Sequence, residues 1–170
     1  MVLEFLRQPL RTALQRASEL ARGSLDTREA LVELCGANEE ALGEKDVLDD
    51  ALLRAEVQNN LGAALVMLSQ HETNESTQKK LLATALRCLG GALQIRTRSV
   101  VPREWAITKT NLALAHLQRY RLVGDQIDIM AGRVDVDLAR AMFAEMGLED
   151  EKTWAEAVRR QLLSAGKARS

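Results

Sequence analysis

Ala55-Glu56-Val57-Gln58-Asn59-Asn60-Leu61-Gly62-Ala63-Ala64 and, 51 residues further on, Ala106-Ile107-Thr108-Lys109-Thr110-Asn111-Leu112-Ala113-Leu114-Ala115 share one pattern. Each has a leading Ala and an Asn-Leu pair followed by small residues, with apolar positions at helical spacing. A pattern repeated within one chain points to helical units that bury their faces against each other. Gly62, Ala64, Ala85, Gly90, Gly91 and Ala92 are small enough to let helix axes approach closely, so large side chains there are expected to overpack.

Working outward, the remaining sequence also reads as helical. Ala and Leu fill 52 of the 170 positions, against 10 Gly, 2 Pro and 3% aromatics, which favours helix formers over turn residues. Pro9 opens a first helix that Gly23 ends, and Asp26 caps a second, with Glu29 completing a capping box and Gly43 closing it. Asp46 is expected to cap a third, Val47 to Gln70, apolar on two sides. Thr77 to Arg98 make the fourth and Pro102 to about Arg121 the fifth, because the residue before Pro avoids helical geometry. Residues 122–134, with Gly124 and Gly132, are expected to form an irregular connection. Asp135 then caps a sixth helix that Gly147 ends, Asp150 caps a seventh to about Ala165, and 166–170 fray. Val134-Asp135-Val136-Asp137 alternates, but it is too short and acidic for a sheet. The expectation is one all-α domain over 1–170, with antiparallel helical hairpins stacked as a short solenoid.

Net charge is −1, but it is unevenly spread. Asp26 to Glu56 holds ten acids and three bases; Lys79 to Arg121 holds nine bases and one acid, Glu104. Such a dipole steers an acidic partner to the second half, at a basic surface of Arg96, Arg98 and Arg103, or pairs head to tail with another copy. Nucleic acid is disfavoured, because the chain as a whole is not basic and aromatics for base stacking are scarce. No apolar run approaches the roughly 18 residues of a membrane helix. Glu4 stands where a signal peptide is basic, so a cytoplasmic location is expected, with no membrane partner. Cys35 and Cys88 lack a CxxC spacing and read as small buried hydrophobes.

The repeat resembles the tetratricopeptide repeat. Leu61-Gly62 with Leu65 matches the first-helix pattern of that family, and Leu112-Ala113 with His116 matches it less closely. Ala85, Leu89 and Ala92 match its second helix, as do Ala30, Leu34 and Ala37, while Ala139 and Phe143 match partly. The string Arg96-Thr97-Arg98-Ser99-Val100-Val101-Pro102-Arg103-Glu104-Trp105-Ala106-Ile107-Thr108, followed by Asn111-Leu112, is similar to a bacterial long-repeat variant with a Pro, Trp-Ala, Thr, Asn-Leu pattern. The resemblance covers residues 47–121 best. It implies a peptide or helix bound in a concave groove lined by first helices. Glu56, Asn59, Asn60, Ala63 and Met67 would form one strip of that groove; Ile107, Thr110, Asn111, Leu114 and Gln118 would form the next, with Lys109 supplying charge.

Catalytic patterns are weaker. No P-loop, dinucleotide glycine pattern or ordered Ser/His/Asp set is present, and the two histidines, His71 and His116, lie far apart in sequence. No cofactor or metal site is expected. The alternative is an all-helical, metal-dependent nucleotide hydrolase whose carboxylates, within residues 39–56, hold Mg²⁺. Its pattern takes EExxE and then ExxD, whereas this chain has Glu40-x3-Glu44 and Glu56-Val57-Gln58-Asn59. The favoured expectation is a non-catalytic adaptor or scaffold for a protein or peptide, acidic in its contact surface. Homo-oligomeric self-assembly is the rival within the binding class.

Overall fold

The computed structural model describes residues 27–167, which form seven helices. These are α1 (Arg28–Gly43), α2 (Lys45–Asp49), α3 (Ala51–His71), α4 (Glu75–Ile95), α5 (Pro102–Val123), α6 (Gln126–Glu145) and α7 (Glu149–Lys167). No strand occurs among the described residues, so the all-α class holds. The helix expected from Pro9 to Gly23, and the Asp26 cap, lie outside the described residues.

Local chemistry sets the helix ends. The Thr27 hydroxyl caps α1 by accepting the Ala30 N–H at 3.2 Å. The single helix expected from Val47 to Gln70 is instead two, because the Asp50 carboxylate accepts the Leu53 N–H at 3.0 Å and starts α3 there. Asp46 sits within short α2 and caps nothing. Arg54 reinforces the break by donating Nη1 to the Leu48 carbonyl at 2.8 Å. Asn74 caps α4 through Thr77 N–H. That helix stops at Ile95 rather than Arg98, since the Val100 and Val101 N–H groups both turn back to the Thr97 carbonyl.

The expected irregular stretch 122–134 is mostly helix α6. The real connection is Gly124-Asp125. Gly124 takes a left-handed φ of 83°, and the Asp125 carboxylate accepts the Ile127 N–H at 2.9 Å. Gly132 and Asp135 are interior to α6, both buried against neighbouring helices. Gly147, at φ 68°, ends α6 as expected, with Leu148 N–H returning to the Phe143 carbonyl. Asp150 lies in the first turn of α7, and that helix continues through Lys167.

The helices form two layers. α3 pairs with α4 and α5 with α6, each as a hairpin, while α4 packs on α5 and α6 on α7. α5 also touches α3 and α7 directly, so α3, α5 and α7 share one layer, with α1 against α3. One apolar core joins α1, α3 and α4; a second joins α5, α6 and α7. Leu114 on α5 packs against both cores and Ala115 completes the first, so α5 links the two hairpins.

The 51-residue offset is legible in burial. Ala55 and Ala106, Val57 and Thr108, Gly62 and Ala113, and Ala64 and Ala115 are all buried pairs, and Gln70 and Arg121 are both exposed. Gly62 is the most tightly enclosed of the described glycines: a Cβ there would lie 2.6 Å from Leu89 Cγ on α4. In the second hairpin the equivalent approach comes from α6, where a Cβ on Gly132 would lie 2.9 Å from Leu162 Cδ2 and 3.3 Å from the Ala113 carbonyl. Gly90 has open space beside it, contrary to its expected packing role, and Gly91 faces the Gln58 amide.

Candidate functional site

The aligned segments place their residues at the α3–α5 boundary, where some face outward and others are consumed by packing. On α3, Glu56, Asn60 and Met67 are exposed and Ala63 is half-buried, at the helical spacing of one face. On α5, Ile107, Leu114 and Gln118 are half-buried beside it. Three of the expected groove residues are removed from reach. Asn59 and Asn111 are buried, and so is Thr110, whose hydroxyl donates to the Ala106 carbonyl at 3.0 Å. Lys109 points elsewhere: its Nζ lies 2.7 Å from Asp135 Oδ1 on α6.

The three asparagines form a relay. Asn111 Nδ2 donates to Asn59 Oδ1 at 3.1 Å, and Asn59 Nδ2 donates to Asn60 Oδ1 at 3.2 Å. The relay satisfies polar groups that burial would otherwise penalise and fixes α5 against α3. It uses the Asn60 oxygen as an acceptor, while Asn60 itself is exposed. Asn60 and Asn111, aligned in sequence, therefore have different environments. α5 has helices on both sides within its layer, and its copy of the Asn turns inward.

Beyond Gln118 the strip meets a pocket of about 350 Å³ at the end of the first hairpin. Ser69, Gln70, Gln78, Gln118 and Arg121 give it polar walls, with Leu82 and Leu122 as apolar ones. Its polar character comes from side chains of three different helices, which is why no local motif announces it.

The expected basic surface is not one. Arg96 is buried, and its Nη1 donates to Thr108 Oγ1 at 3.1 Å. Burial pushes its guanidinium pKa down, opposed by Glu56 and Glu104. Arg98 pairs with Glu145 at 2.9 Å and Arg103 with Glu151 at 2.7 Å. The Arg103 hydrogen bond holds the Glu151 carboxyl below its ordinary range. These arginines tie the α4–α5 loop and the start of α5 to the later helices.

A charged cluster at the α5–α6 boundary has no counterpart in the sequence reading. Asp128 is 1% exposed, and its Oδ1 lies 2.7 Å from His116 Nδ1 and 2.6 Å from Arg119 Nη2. Arg119 Nε adds a bond of 2.8 Å to Oδ2. Burial alone would raise the Asp128 pKa; the hydrogen bonds from Arg119 and His116 outweigh it and the net shift is downward. His116, where the repeat pattern matches less closely, is thus a polar partner of Asp128. Asp128 stands three residues after the Asp125 cap, and only the α5–α6 packing brings its partners to it.

Both cysteines are free thiols. Burial pushes the Cys35 thiol up to about 12 and also raises that of Cys88, which makes both poor nucleophiles. Among the described residues no three His, Cys, Asp or Glu side chains converge to hold a metal ion, the acids of 39–56 included. Among the same residues no helix is long and apolar enough to cross a membrane. No family model matches the chain, and no curated protein or solved structure shows significant similarity to it.

Proposed function

We propose that the chain is a non-catalytic adaptor or scaffold of tetratricopeptide-like hairpins that binds a peptide or helix of another protein along the α3–α5 strip. The observation that carries this reading is the exposed face of Glu56, Asn60 and Met67 on α3, bordered by half-buried Gln118 on α5. It combines apolar surface with an amide held in place from behind by the asparagine relay. Extended segments are recognised by such pairings of apolar contact and fixed hydrogen-bond donors. Asn59, Thr110 and Asn111 support the strip from beneath rather than touching the ligand. The reading includes a cytoplasmic location, for which two unpaired cysteines are suited.

The test is affinity capture from the source cell with the native chain and with the Met67→Glu variant. Met67 is exposed and lies outside the asparagine relay, so melting is expected to be unchanged. Proteins retained by the native chain and lost by the variant support the strip. Identical captured proteins for both would refute it.

A further inference from the structure

The opposite side of the molecule carries a second surface. α5 runs antiparallel to both of its flanking partners: Arg96 at the end of α4 meets Thr108 near the start of α5, and Asp128 near the start of α6 meets Arg119 near its end. α4 and α6 are therefore parallel to each other, and both pack against α5. α5 forms the floor between them, where Leu112, His116 and Arg119 are half-buried.

The two walls differ in chemistry. On α6, Ile127, Met130, Val134 and Leu138 are 68%, 67%, 60% and 42% exposed. Their spacing puts them on one face, pointing away from the core formed by Ile129, Val136, Ala139 and Phe143. A contiguous apolar row of this kind marks an interaction site, unlike scattered surface hydrophobes. On α4, Lys80 and Arg87 border an open pocket of about 590 Å³ with Ala83, Leu86 and Arg119. Arg119 is neutralised by Asp128, whereas Lys80 and Arg87 form no ion pair with any described residue; Arg87 meets only the Thr84 hydroxyl.

We propose that the groove between α4 and α6 docks an acidic amphipathic helix of a partner protein, its apolar side on the Ile127–Leu138 row and its acidic edge along Lys80 and Arg87. Charge complementarity selects this occupant. Residues 1–26 of the chain itself carry four Arg against three acids and suit a basic wall poorly. An anionic membrane would want several bases fringing the apolar row, but α6 carries two, Arg133 and Arg140, and Arg140 lies 4.0 Å from Glu156. This surface is separate from the α3–α5 strip, so the two proposals stand or fall independently. With both, the chain bridges two partners.

The experiment is fluorescence anisotropy at low salt with a labelled helical peptide of about 16 residues, with Leu at i, i+3, i+7 and i+11 and Glu along one flank, and its Lys-flanked twin. The acidic peptide is expected to bind about tenfold or more tightly than the basic one. Met130→Glu with Val134→Glu should abolish this binding, and Lys80→Glu with Arg87→Glu should reverse the preference, with circular dichroism unchanged for both variants. Saturable binding with that pattern supports the groove. No saturable binding, equal affinity for the two peptides, or indifference to either variant overturns it. So does binding to phosphatidylserine vesicles, or a dimer in sedimentation, that Met130→Glu with Val134→Glu removes, since the row would then serve a bilayer or a second copy.

Discussion

Asp128 is buried with two cationic or polar partners, Arg119 and His116, and its effect on stability has a definite sign. Its folded-state pKa lies below the ordinary 3.8 because bonds to Arg119 and His116 outweigh burial. A depressed carboxylate stabilises the fold fully above its unfolded pKa and loses that contribution as pH falls through the folded value. Asp128→Asn is expected to cost about 1–3 kcal/mol near neutral pH, toward the lower end because Arg119 is partly solvated. Urea titrations of both proteins should show the gap shrinking below about pH 4. A gap that persists undiminished into strong acid would mean that packing, not charge, sets it.

Helix geometry explains why two glycines in neighbouring helices behave oppositely. Gly62 lies against Leu89, which is fully buried and cannot retreat, so Gly62→Ala is expected to destabilise by about 1–3 kcal/mol through overpacking. Gly90 meets nothing within 4 Å. There the gain in helix propensity is unopposed, and Gly90→Ala should stabilise by about 0.5–1 kcal/mol. Thermal melts of the two variants check the pair. Both glycines look alike in sequence, since helical periodicity gives the phase of a residue but not the distance to the opposing helix. The same blindness misplaced the start of α3. Asp46 and Asp50 are equally good caps by residue type, and the choice fell to Asp50, whose carboxylate reaches Leu53 N–H while Arg54 secures the Leu48 carbonyl.

Across the chain, the charge asymmetry suggests head-to-tail assembly, but the folded molecule spends most of it internally. Among the bases between Lys79 and Arg121, Arg96 is buried; Lys79, Arg98, Arg103, Lys109 and Arg119 are each paired with an acid of the same chain. Sedimentation is therefore expected to give a monomer at both low and high salt. A dimer that dissolves as salt rises would restore the dipolar assembly instead.

Residue order was enough to specify helices, their apolar phases and the equivalence of Ala55–Ala64 with Ala106–Ala115, because these depend on backbone propensity and on spacings within a few turns. It was also enough to mark Gly147 and Pro102 as boundaries, since each acts through its own backbone. Pairing across helices was a different matter. Which Asn turns inward, where Arg96, Arg98 and Arg103 find partners, and why Asp135 is buried beside Lys109 instead of capping a helix depend on neighbours tens of residues away. Those neighbours are assigned when hairpins stack and burial obliges each polar group to find a bond. The exposed row on α6 belongs with them: Ile127, Met130 and Val134 fall in the stretch expected to be irregular, and only the packing of α6 puts them on one outward face.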